Sequence, residues 1–157
     1  MKRILCTSFC LLISMGIHAE QKLRVIDLGS DGPVSAEAEE RSKQYRAAED
    51  AAAKIPASEA MNFMQRLNRT VEQGHEQAKS GTMTGVQIRN QAIALNKLQD
   101  EGDRFGPIFS PFHTCNSAGI SAARSWQGVV SGDTNQFVEN HKAYLQAAME
   151  CIQAASS

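Results

Sequence analysis

Two cysteines, Cys115 and Cys151, flank the strongest turn signal in the C-terminal half of the chain, Val130-Ser131-Gly132-Asp133, at comparable distances from it. Each falls on an apolar stripe of helical spacing. Before the turn the stripe is Phe112, Cys115, Gly119, Ala122, Trp126 and Val129; after it, Phe137, His141, Tyr144, Ala148, Cys151 and Ala155. Two helices folded antiparallel at that turn bring the cysteines to similar heights on facing stripes. In an oxidising compartment this predicts a disulfide. A cross-link over a loop of this length stabilises by about 3–4 kcal/mol in the chain-entropy description. A redox or metal role fits less well. There is no CxxC, and the only basic neighbour, in His113-Thr114-Cys115, makes a weak ligand pair.

The compartment is read from the first residues. Lys2 and Arg3 form a positive start, Ile4 to Ile17 an apolar run, and Ile17-His18-Ala19 places a small residue at a cleavage position. A membrane span needs roughly 20 apolar residues, whereas this run is shorter and diluted by Thr7, Ser8, Ser14 and Gly16. Residues 1–19 are therefore expected to be a cleavable signal peptide, taking Cys6 and Cys10 with them and leaving a periplasmic or secreted protein. Neither of those cysteines sits where a lipid-anchoring box needs one. No later stretch has membrane length, so no stable insertion is expected after cleavage.

The chain carries 16 basic and 17 acidic residues. With Lys2 and Arg3 removed, the balance is mildly acidic and mixed in sequence. Nucleic-acid binding leans on clustered Lys and Arg, so no nucleic-acid partner is expected. Glu37, Glu39 and Glu40 read as the solvated start of a helix.

Residues 20–34 read as an extended arm, with Leu23, Val25, Ile26 and Leu28 among charged residues and a turn at Gly29-Ser30-Asp31-Gly32-Pro33. Such an arm either lies in a groove of its own domain or is offered to a partner. From Ser35 onward the periodicity is helical, and residues 35–157 read as one helical bundle domain. Ser35 caps a first helix whose inner face is mostly alanine, which predicts close or peripheral packing. Pro56 interrupts the chain. A second helix over Ala57 to Lys79 carries the seam Ala60, Met64, Leu67, Val71, Gly74 and Ala78. Thr84 with Gln87 forms a capping-box pattern opening a third helix through Ile88, Ala92, Leu95 and Leu98, with Gly102 as its stop. Phe105, Ile108, Phe109 and Phe112 crowd a connector expected to tuck against the domain. A fourth helix starts near Pro111 and a fifth after Asp133, its end fraying from Ala154. The fold class is all-α: an antiparallel bundle of four to five helices whose last two form a disulfide-braced hairpin.

No catalytic constellation emerges. His75-Glu76-Gln77-Ala78-Lys79 begins like a zinc-protease motif, but Lys79 stands where the second histidine belongs. Gly119-Ile120-Ser121-Ala122-Ala123 lacks the strand and the second glycine of a nucleophile elbow. Gly102 and Gly106 have no phosphate-loop partners. Asn68-Arg69-Thr70 matches a glycosylation sequon inside a predicted helix. His141 reads as a lone boundary histidine with one satisfied hydrogen bond, and Met61, Met64, Met83 and Met149 as core filler. No metal and no cofactor are expected.

The resulting expectation is an exported protein-binding module rather than an enzyme: an inhibitor, a toxin-immunity protein or an accessory of an envelope machine. One alternative is a structural subunit of a secretion or conjugation apparatus. Another is a carrier of a small apolar ligand in a cavity near Trp126, Tyr144 and the connector. The candidate partner-binding residues are Phe105, Phe109 and Phe112 of the connector and Leu23, Val25 and Leu28 of the arm.

Overall fold

The computed structural model describes residues 35–157. Those residues form five α-helices packed together, with no strand among them: α1 (Ala36–Ala52), α2 (Ala57–Lys79), α3 (Gly85–Gly102), α4 (His113–Ser131) and α5 (Thr134–Ser156). A short 3-10 turn, Asp103–Phe105, continues from α3. The expected signal peptide and the arm residues Leu23, Val25 and Leu28 lie outside the described residues.

The helix starts follow local chemistry. Ser35 Oγ accepts from Ala38 N at 3.2 Å. At α3, Gln87 N donates to Thr84 Oγ1 while Thr84 N donates to Gln87 Oε1, at 3.3 and 2.8 Å, so the capping box is complete. Asp133 Oδ1 accepts from Gln136 N at 3.0 Å to open α5, and Gly132, in the left-handed region at φ 73°, ends α4. Gly102 is the last residue of α3, where the sequence put the stop, although its backbone stays right-handed at φ −62°; a Cβ there would meet Phe63 Cζ at 3.4 Å and Asn116 Cα at 3.5 Å, ordinary contact distances. One terminal expectation differs: α5 stays helical to Ser156.

The core gathers Phe63, Met64, Leu67 and Val71 of α2, Leu95 and Leu98 of α3, Cys115, Ala118, Ala122 and Trp126 of α4, and Tyr144, Ala148 and Cys151 of α5. The seam predicted for α2 is the buried face, with Ala78 partly covered. Phe105 packs its ring against Phe63 with centroids 5.0 Å apart. Small residues at the centre of α4 let its neighbours approach. At Gly128 a Cβ would stand 2.5 Å from Phe137 N, so α4 and α5 meet backbone to backbone beside their turn. At the far end of the same pair, Cys115 and Cys151 stand at disulfide distance, with Cα atoms 5.0 Å apart. α1 is peripheral as its alanine face implies, with Ala52 its buried residue.

Polar ties complete the frame. Trp126 Nε1 donates to Ile88 O at 3.1 Å, joining α4 to the start of α3. Tyr144 Oη donates to Asn68 Oδ1 at 2.6 Å, joining α5 to α2 through the asparagine of the sequon-like triplet. Arg66 clasps Glu101 through both guanidinium nitrogens, and Arg104 reaches Glu59 at 3.0 Å, fastening α2 to α3 and the 3-10 turn. The Arg66 hydrogen bonds hold the Glu101 carboxyl below its ordinary pKa.

Candidate functional site: an exposed connector tip and an imidazole groove

The connector between α3 and α4 does not tuck in as a unit. Phe105 is fully buried and Phe112 is buried at its margin, while Ile108 is 66% and Phe109 81% exposed. The split follows from the turn between them. Gly106 takes φ 82°, a region that side chains disfavour, and the chain then folds back. Ser110 N donates to Pro107 O at 2.9 Å, and His113 Nδ1 donates to Ser110 O at 3.0 Å. A Cβ at Gly106 would lie 2.5 Å from Ala52 Cβ, so the loop base is wedged against the end of α1. Two phenylalanines anchor the connector inward, and the tip presents Ile108 and Phe109 to solvent on a fixed base. Burial removes Phe105 and Phe112 from reach of a partner; of the three connector phenylalanines, Phe109 is the accessible one.

α5 also presents apolar side chains outward. Val138, Leu145 and Met149, spaced seven and four residues apart, are all more than half exposed. Met149 is therefore not core filler, unlike Met64. Glu150, beside Met149, lines a shallow cavity of about 330 Å³ together with Pro107, Ile108 and His113, so the connector tip and the C-terminal part of α5 occupy the same end of the molecule.

The turn end of α4 and α5 is different. A groove of about 510 Å³ opens between α2, α4 and α5, lined by His75, Ala78, Lys79, Val129, Phe137 and His141. Phe137 and His141 stack with centroids 5.5 Å apart and planes 6° from parallel. His75 stands edge-on to both, at 5.3 Å from Phe137 and 4.5 Å from His141. His141 is thus one of a pair, and its Nδ1 is buried with no hydrogen-bond partner among the described residues. Sequence reasoning missed this pairing. His75 and His141 lie on different helices, and the one available sign was that each falls on or beside an apolar seam.

Burial pushes the pKa of His75 down, and the neighbouring His141 and Lys79 push it further against a small opposing pull from Glu76. Burial, then Lys79, lowers His141 in the same way. Both imidazoles are therefore held neutral at pH 7. Tyr144, next along α5, is pushed up to about 12 by burial and by Glu72, and stays a neutral donor to Asn68. Trp126 and Tyr144, expected to border a cavity, are core residues, and the roomy apolar groove lies one turn beyond Tyr144. His113 lines the other cavity, so it and His141 do not meet.

Among the described residues no three His, Cys, Asp or Glu side chains converge as a metal site, and no helix is long and apolar enough to cross a membrane. No family model, curated protein or solved structure matches this chain.

Proposed function

We propose that this chain is an exported protein-binding module that docks by inserting the tip of the α3–α4 connector into an apolar pocket of a partner protein. The observation that carries the reading is Phe109, a large aromatic side chain 81% exposed on a loop whose base is fixed. Interface energy concentrates in a few aromatic anchors held in advance of binding, and Phe109 and its neighbour Ile108 offer such an anchor on an ordered loop. Ile108 widens the anchor, and Leu145 and Met149 offer further apolar contact at the margin. The scaffold in this reading is an antiparallel bundle in which α4 and α5 form a hairpin; the short Gly132-Asp133 link and the paired cysteines support that arrangement. Inhibition, immunity and accessory roles all use a surface of this kind. The leader-like residues 1–19 and the cysteine pair favour action in an oxidising, extracytoplasmic compartment.

The test is Phe109→Asp. A protein co-isolated from envelope extract with the parent chain is purified, and its complex with each form is measured by titration calorimetry. The expected result is a stoichiometric complex with the parent and a loss of at least about a hundredfold in affinity with the variant, consistent with a hot-spot anchor, at an unchanged thermal midpoint. Equal binding by the two forms sinks the reading. N-terminal sequencing of the exported form should begin at Glu20; retention of Met1 overturns the leader assignment.

A further inference from the structure

The imidazole groove is separate from the connector tip and does not rest on it. Its volume, about 510 Å³, falls within the roughly 300–1,000 Å³ typical of small-molecule sites. Its walls are chiefly apolar, from Ala78, Val129 and Phe137, and its polar groups converge from two helices: His75 and Lys79 from α2, His141 from α5. His141 Nδ1 is closed to water and has no partner among the described residues, so the nitrogen of that ring that a ligand in the groove can reach is Nε2. The charge pattern then selects the ligand class. Lys79 is the cationic group of the lining, and its partner is Glu76 one turn back, at 3.0 Å with both side chains largely in water. An exposed pair of that kind contributes little, so an incoming anion can take Glu76's place. A divalent cation is disfavoured for the same reason. Two imidazoles make half of a tetrahedral ligand set, no third ligand converges among the described residues, and the ammonium beside them repels the ion.

We propose that this groove binds a small amphipathic carboxylate, its apolar part against Phe137, Val129 and Ala78 and its carboxylate facing Lys79 and the two imidazoles. The hydrogen-bonding imidazoles fix orientation, and Lys79 supplies the charge preference.

Titration calorimetry of the oxidised protein with decanoate, decanol and zinc chloride tests this at pH 7.5. The expected result is saturable one-to-one binding of decanoate, at least about tenfold weaker binding of decanol, and a loss of about tenfold for decanoate in Lys79→Ala, the scale of one charge-assisted contact. Phe137→Ala should weaken both organic probes together. Lys79 is largely exposed, so its variant should keep the parent's thermal midpoint, and His75→Gln provides a second variant that leaves Lys79 in place. Absence of saturable decanoate binding, or equal affinity for decanol and decanoate, overturns the proposal. Saturable zinc binding that His75→Gln abolishes overturns it in favour of a metal site.

Discussion

The two ends of the α4–α5 pair are built on opposite principles. At one end Cys115 and Cys151 meet in a dry interior, and the connector base is wedged beside it with Phe105 and Phe112 turned inward. At the other end the backbones touch at Gly128 and then open around a groove holding two neutral imidazoles and a buried nitrogen without a partner. Covalent and steric constraint is concentrated at the end that carries the exposed Phe109. The paired imidazoles lie where the packing leaves room. Each end can be disturbed while the other is watched.

The largest expected effect comes from the cross-link. Reduction, or Cys115→Ser with Cys151→Ser, should lower stability by about 3–4 kcal/mol and the thermal midpoint by roughly 10 °C, as read by calorimetry. A change of under about 1 kcal/mol would show that packing alone fixes this end. Next is Gly106→Ala, which combines a disfavoured positive φ with a Cβ driven onto Ala52. It should cost about 2 kcal/mol or more in urea melts, and weaken any complex made through Phe109 by releasing the loop base. The smallest effect belongs to the groove. The folded-state pKa values of His75 and His141 lie below the ordinary 6.5, so the unfolded chain binds more protons as the pH falls below that value. Stability is then fully present above about 6.5 and declines as acid protonates the unfolded imidazoles first. The Glu101 carboxyl, lowered from 4.5, contributes its loss only in more acid solution. Urea melts between pH 7.5 and 5.5 should show the decline, and His75→Gln with His141→Gln should flatten it. An unchanged slope would place the sensitive groups elsewhere.

Sequence reasoning reached the parts of this molecule that local rules govern. The Thr84–Gln87 capping box, the α2 seam and the turn at Gly132-Asp133 all depend on residues within a turn or two of one another, so spacing alone reveals them. The cysteine pairing extended that reach, because a short link between two helices fixes which positions share a height. Two features escaped. The connector has no period, so nothing local told inward Phe105 and Phe112 from outward Phe109. His75 and His141 meet through the mutual rotation of α2 and α5, which side-chain packing decides. The connector tip was therefore half legible in the sequence and the groove hardly at all.

The chain contains a single tryptophan, and Trp126 is buried with its indole nitrogen bonded to the Ile88 carbonyl. Tryptophan emission, excited to the red of the two tyrosines, is consequently a one-site signal from the seam of α3 and α4. Its emission should sit at short wavelength while that seam is closed and move to the red when water enters. Val129, one turn along α4, lines the groove, so an occupant there lies within optical earshot of the indole. α1 carries Tyr45 but no tryptophan, so its melting leaves the tryptophan spectrum unchanged while that seam stays closed.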